Sequence, residues 1–384
     1  MFRPKLDEKL IFRVFKPSFK QANALFFVII ILQFCWASLA VKASDSYKYS
    51  NFSVTGNYLA AKEAQMSGEL SLAADFLKLV LSNSVNSPDL LRRTFLLLAL
   101  EGRFDEALEL GEKLAKYSPG LYLPKLLLAI KKIRIKKYQE AVKILKNFSG
   151  DNLSGMTSPL LLAWTLLGQG KVDEALDIVK SLEGTNSPGQ LLNMHKGLIL
   201  GVAGRHLEAI SVLEKLSERK NAFNFRLVQL LGNFYELVGD KNKANLLYKR
   251  FREENETRGF LDINYAELTL GSRPKPLIKT VSDGVAETLF IMANSLRQQK
   301  AGETALVLGR LALYLKPNFP IMLILVGELV ESGDRLVEAN KIYNKIDPNS
   351  VFGKKIKLRI AANFHVMNRT REAIKLLREM VDER

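Results

Sequence analysis

The sequence predicts an all-α protein, an α-solenoid of about nine stacked helical hairpins. Three observations predict it. First, a motif of Gly, two to four mixed residues and then Glu-Ala-aliphatic recurs, as Gly102-Arg-Phe-Asp-Glu-Ala107-Leu, Gly170-Lys-Val-Asp-Glu-Ala175-Leu and Gly204-Arg-His-Leu-Glu-Ala209-Ile. Second, the alanines that align on it (Ala73, Ala107, Ala141, Ala175, Ala209, Ala244, Ala305, Ala339 and Ala373) are 34 residues apart, except for one step of 35 and one of 61. Third, the 12 prolines and 24 glycines fall mostly between apolar periodic segments, and no alternating run is long enough for a sheet.

Each element of the hairpin follows from that register. Twelve positions before the aligned alanine stand Ala61, Phe95, Ala129, Ala163, Gly197, Gly232, Ala293, Gly327 and Ala361, small in every unit but the second. Two small residues at fixed positions let the first and second helices of a unit (A and B) approach closely. Apolar residues at i, i+3, i+4 and i+7, as in Ala175-Leu-Asp-Ile-Val-Lys-Ser-Leu182, fill the rest of the interface. Gly68, Gly102, Gly170, Gly204 and Gly239, five before the alanine, end helix A where the backbone needs a left-handed residue. One such hairpin cannot bury its apolar face alone, so neighbours must stack.

The 34-residue period, the paired small positions, the turn glycine and the prolines after helix B (Pro119, Pro317) resemble the tetratricopeptide repeat family. The resemblance covers roughly residues 54–384 apart from one gap. It implies a right-handed superhelix and a non-catalytic scaffold that needs no cofactor and holds a protein or peptide partner. Six units are expected over 54–258 and three over 286–384. Between them, 259–285 reads as a degenerate unit or linker, with a single helix over Phe260–Leu270 followed by a run that Pro274 and Pro276 keep from being helical. A full ninth unit would run a few residues beyond Arg384, and no polar capping helix follows it. Either the terminal face docks onto something, or the protein continues in a longer form, in which the repeats would be the non-catalytic portion of an enzyme; a membrane-anchored assembly organiser is the other alternative to a free scaffold.

Ahead of the repeats, Ala22 to Ala40 is an uncharged apolar run preceded by basic residues. Val41-Lys42-Ala43, or Ser38-Leu39-Ala40, has the form of a signal peptidase site, so residues 1–43 read as a cleaved signal peptide or an uncleaved membrane anchor. The basic residues before the run would keep residues 1–21 cytoplasmic. The repeats would then be periplasmic, or held at the inner membrane through residues 22–40. Cys35 is the sole cysteine and Phe34 precedes it, so a lipoprotein signal is not expected, and a mature chain would have no thiol. The formal charge of +16 raises the prior for anionic partners, but the basic residues are spread along the chain. Lys131-Lys-Ile-Arg-Ile-Lys-Lys137 is the densest cluster. It reads better as a helix C-terminus, where cations are favoured, than as a phosphate contact, and no aromatic residues interleave with it. Nucleic acid is therefore not an expected partner.

Catalytic and metal-binding chemistry is not legible. His195, His206 and His365 lack metal-ligand spacing, and neither a phosphate loop nor a nucleophile elbow occurs. Glu106, Glu140, Glu174 and Glu208 recur at one repeat position and read as solvated helix starts. The candidate site is the concave groove that helix A lines in the family. In units three to five its inward positions are Leu123, Leu126, Ile130, Ile133, Leu160, Trp164, Leu167, Leu191, Met194 and Leu198, an apolar stripe suited to an amphipathic helix anchored near Trp164. In units six and seven the same positions turn polar: Arg226, Gln229, Asn233, Glu236, Glu287, Asn294 and Arg297, with Phe290 apolar. The stripe has two readings, an open groove or interior buried by tight winding.

Overall fold

The computed structural model describes residues 53–83, 87–148, 152–183, 189–254 and 274–382. The apolar run at 22–40 and the helix expected over 260–270 lie outside the described residues. Eighteen helices are described, forming nine antiparallel hairpins. The first six hairpins are α1 (Val54–Met66) with α2 (Leu70–Ser82), α3 (Pro88–Leu100) with α4 (Phe104–Tyr117), α5 (Tyr122–Arg134) with α6 (Tyr138–Lys146), α7 (Asn152–Gly168) with α8 (Val172–Ser181), α9 (Gly189–Val202) with α10 (His206–Ser217), and α11 (Phe225–Leu237) with α12 (Lys241–Glu254). The last three are α13 (Val281–Gln298) with α14 (Gly302–Leu315), α15 (Pro320–Glu331) with α16 (Leu336–Tyr343), and α17 (Gly353–Val366) with α18 (Thr370–Asp382).

The turn between helices A and B requires a left-handed residue in every hairpin. Five glycines supply it, and at the same register Lys136, Lys300, Asp334 and Asn368 adopt it without being glycine, all nine φ values lying between +58° and +86°. Close approach explains the small positions. A Cβ on Gly232 would sit 2.2 Å from the Tyr248 hydroxyl, and one on Gly327 2.2 Å from the Tyr343 ring. Each tyrosine thus crosses from helix B through the gap in helix A and donates its hydroxyl hydrogen bond there, Tyr248 to Glu236 at 2.9 Å and Tyr343 to Glu331 at 2.7 Å. The exception, Phe95, is matched from the other side. Gly111 of α4 faces its ring, so small and large residues have exchanged helices at that interface.

The recurrent glutamates are ion-paired rather than simply solvated. A basic residue just before helix B bonds the glutamate three positions on: Arg103–Glu106, Lys137–Glu140, Lys171–Glu174, Arg205–Glu208 and Arg369–Glu372, at 2.6–3.2 Å, and likewise Arg335–Glu338. Most are exposed and screened by water, so they add little to stability.

α13 begins at Val281, inside the stretch read from sequence as linker. Thr280 and Asp283 form a reciprocal capping box that starts the helix there (Asp283 N–H to Thr280 Oγ1 3.1 Å, Thr280 N–H to Asp283 Oδ2 2.9 Å). From this point the chain does not simply extend the stack. α13 crosses α7 and touches α5 and α9, while α14 lies against α3 and α5. Hairpins seven and eight therefore fold back onto the concave side of hairpins two to five, and Arg335, at the turn of hairpin eight, pairs with Glu101 at the turn of hairpin two.

Candidate functional site: the concave groove

The groove is built from helices A of successive hairpins, because the small residue in each helix A turns its outer side to helix B and leaves the opposite side facing inward. Along α5, α7 and α9 that inward side carries Leu126, Ile130, Ile133, Leu160, Trp164, Leu167, Leu191, Met194 and Leu198. None of the nine is more than 8% exposed, and Leu123 is half-buried. The helices that carry the stripe also pack against a later part of the same chain, α13 on α5, α7 and α9 and α14 on α5. α13 approaches closely at Trp164, where a Cβ on Gly284 would stand 2.3 Å from the indole ring. Glycine at 284 is what lets the helix seat on the tryptophan.

A polar network is sealed beneath α13. The Trp164 indole N–H donates to His195 Nδ1 at 3.2 Å, which puts the neutral imidazole's proton on Nε2. Nε2 is buried without a hydrogen-bond partner. Burial drives the His195 pKa down to about 4, against an opposing pull from Glu287, so the ring is neutral at pH 7. Glu287, on α13, is wholly buried and accepts a two-pronged bond from Arg226 of α11, Nε at 2.8 Å and a terminal nitrogen at 2.5 Å. Arg226 also donates to Gln229 Oε1 at 2.5 Å. A buried pair of this kind fixes register, since either partner alone would be an uncompensated buried charge.

Hairpin six holds the chain that leads into α13. The Asn233 amide donates to the Lys275 carbonyl at 3.0 Å and accepts from the Leu277 N–H at 2.9 Å, gripping a non-helical backbone as a sheet neighbour would. Lys316 donates to the Leu277 carbonyl at 2.7 Å and pairs with Asp283 at 3.2 Å. Of the polar inward positions read from the sequence of units six and seven, Arg226, Gln229 and Glu287 thus meet one another, Arg297 donates to Asn294, Asn233 holds this segment, and Glu236 accepts from Tyr248 of its own hairpin. The basic run closes the groove's edge. Lys131 bonds Asp105 and the Tyr314 hydroxyl, Arg134 stacks 3.9 Å above the Tyr314 ring, and Lys132 and Lys137 pair with Glu140.

Sequence reasoning missed Gly284, the pairing of Arg226 with Glu287, and the Asn233 clamp. A signal was present: opposite charges at equivalent inward positions of units six and seven, and a glycine inside a long helix. Among the described residues no group of three or more His, Cys, Asp or Glu is arranged to hold a metal ion, and no helix is long and apolar enough to cross a membrane. A cleft of about 450 Å³ between α8, α9 and α10 is lined by Asp173, Asp177, Lys180, Lys196, Arg205 and Glu208, of which Asp173, Arg205 and Glu208 pair among themselves.

No family model matches the chain, and no curated protein matches it. Solved structures do resemble it. Naa15/Naa10 bound to HypK-THB aligns over 93% of this chain and 68% of that one, at 15% identity and a TM-score of 0.33. The anaphase-promoting complex hetero-tetramer Cut9-Hcn1 aligns over 77% and 54%, at 15% identity and a TM-score of 0.31. TTC0263, a thermophilic TPR protein of Thermus thermophilus, aligns over 57% and 100%, at 19% identity and a TM-score of 0.26. The repeat architecture itself rests on the register and packing of this chain's own nine hairpins.

Proposed function

We propose that this solenoid of tetratricopeptide-like hairpins is a non-catalytic scaffold that holds a protein partner, exported across or anchored in the cytoplasmic membrane and working on its outer side. The observation that carries the scaffold reading is the groove's content. Its concave face takes up an extended segment through an asparagine clamp and then a helix over Trp164, the two ligand forms that helical-repeat grooves are suited to bind. Here both come from residues 275–298 of the chain itself, so a partner that uses the apolar stripe would take the place of α13. The export reading is supported by the uncharged run at 22–40 and the basic residues before it.

Lysine-reactive crosslinking in intact producing cells tests the scaffold reading, because exposed lysines are spread along the solenoid. A stoichiometric protein crosslinked to the chain supports it, and self-links alone overturn it. A photo-crosslinker at Trp164, with a control at Lys180, then reports on the groove. A second protein caught at 164 supports binding there, whereas capture of residues near Gly284 places the partner elsewhere. Terminal sequencing of the mature protein decides cleavage, since residues 1–21 persist only if the segment is an uncleaved anchor.

A further inference from the structure

We infer that hairpins seven and eight form an autoinhibitory strap, a part of the chain that docks reversibly in its own groove and frees the apolar stripe when it lifts. The inference rests on reading that stripe as a binding surface, as above. Packing divides the described residues into two stacks. Helix B packs on the next helix A at every step from α2 to α11, and again from α14 to α17. Each stack therefore keeps its own hairpin and stacking contacts without the other. Instead of continuing the first stack, α13 packs on α5, α7 and α9 of it.

The joint between the stacks is composed as a releasable interface. Its centre holds a close apolar fit, Trp164 against Gly284. Beside it, the buried carboxylate of Glu287 takes both prongs of Arg226. Loss of water from the two charges offsets much of their attraction, so the pair selects one seating of α13 more than it tightens it. The rim is charged. Arg335, at the turn of hairpin eight, pairs with Glu101 at the turn of hairpin two, and Glu338 bridges Arg335 to Arg310. The Arg310 side chain lies against Gly102, where a Cβ would stand 3.3 Å from its Cδ. The Tyr314 hydroxyl donates to Asp105 at 3.2 Å, and its ring meets Phe104 edge-on. An apolar centre, a paired charge and a polar rim are the anatomy of transient interfaces, unlike the alanine and leucine packing inside each stack.

The probe is a fluorescent synthetic peptide of residues 275–298, the chain's own occupant of the groove. Two full-length variants lift the strap by different routes. Gly284→Leu wedges α13 off Trp164, and Glu101→Arg sets like charges together at the rim. The peptide should bind both variants at least about tenfold more tightly than the unmodified chain, where α13 holds the site. A peptide carrying Glu287→Ala should bind them at least about tenfold more weakly than the native peptide, because Arg226 is left without its carboxylate. Adding Arg335→Glu to Glu101→Arg restores the charge balance of the rim and should exclude the peptide again. Hydrogen exchange should show protection kept in α4, α6, α8 and α10 and lost in α13. Loss of the former in both variants would make the closure part of the fold and overturn the inference. So would exclusion of the peptide from a variant that keeps that protection, binding indifferent to Glu287, or a charge swap that fails to restore exclusion. If the variants admit the peptide while lysine crosslinking in cells captures no second protein, the strap stands and the scaffold reading falls. If crosslinking captures one while the peptide is never admitted, the scaffold reading stands and the strap falls.

Discussion

Two apolar stripes of the same chain, one on α5, α7 and α9 and one on α18, differ in what lies on them. The first is sealed under α13, with Trp164 wholly buried against Gly284. The second, Ile374, Leu377 and Val381, faces solvent. Both are written with helical spacing and look alike in the sequence. The difference teaches that such a stripe specifies a helix as its cover and says nothing of where along the chain, or on which chain, that helix is found. For the first stripe the cover arrives about 120 residues later. For the second, the described residues contain none.

The contrast breaks most directly by truncating one residue from each stripe. Trp164→Ala removes a fully buried indole, the acceptor role of His195 and the seat of Gly284, and should cost about 3–5 kcal/mol. Leu377→Ala removes a side chain still partly in water and should cost about 1 kcal/mol or less. Hydrogen exchange localises the loss. In the first variant, protection should fall in α7 and α13 together, while in the second it should change in α18 alone. If α13 keeps its protection in Trp164→Ala, it does not depend on the stripe and the groove is not closed as described.

Acid sharpens the same contrast. The buried His195 has a pKa near 4 against an ordinary 6.5, so the unfolded chain takes up the proton first. Stability from its neutral burial is complete above about pH 6.5 and is lost as pH falls toward 4, at most about 3 kcal/mol. Between pH 6.5 and 5, before most carboxylates titrate, protection corrected for intrinsic exchange should drop in α7, α9 and α13 and hold in α17 and α18. His195→Gln keeps an acceptor for the Trp164 N–H and should flatten that slope. A slope unchanged in His195→Gln would assign the acid sensitivity to other groups.

The hairpins were legible because their constraints are local. The small residue of helix A, the alanine of helix B and the turn residue sit at fixed separations within 34 residues, and backbone sterics demand them whatever lies outside. Even Phe95 keeps the rule by moving the gap to Gly111. The groove's closure was not legible, because a fold-back is decided by complementarity between distant pieces. Arg226 with Glu287 and Trp164 with Gly284 each read as ordinary polar, aromatic or glycine positions until brought together. The solvated reading of the recurrent glutamates holds, since all four side chains reach solvent, and what it lacked was the basic residue three positions earlier, which was visible but not paired with them.

The turns give the finest comparison, since one backbone demand recurs in the covered and the open regions. Lys136 follows the covered α5, and Asn368 joins α17 to α18 at the open end; both have φ near +60°. The left-handed conformation is unfavourable for lysine and milder for asparagine. Relief of that strain is partly offset by the greater freedom glycine gives the unfolded chain. Lys136→Gly should therefore stabilise by about 0.5–1 kcal/mol and Asn368→Gly by about half that or less. Both side chains are exposed, so little packing is lost. Urea unfolding of the two variants measures the gain. If the larger gain appeared at Asn368, the turns would be answering to their neighbourhood, covered or open, and the nine hairpins could not be treated as copies of one backbone unit.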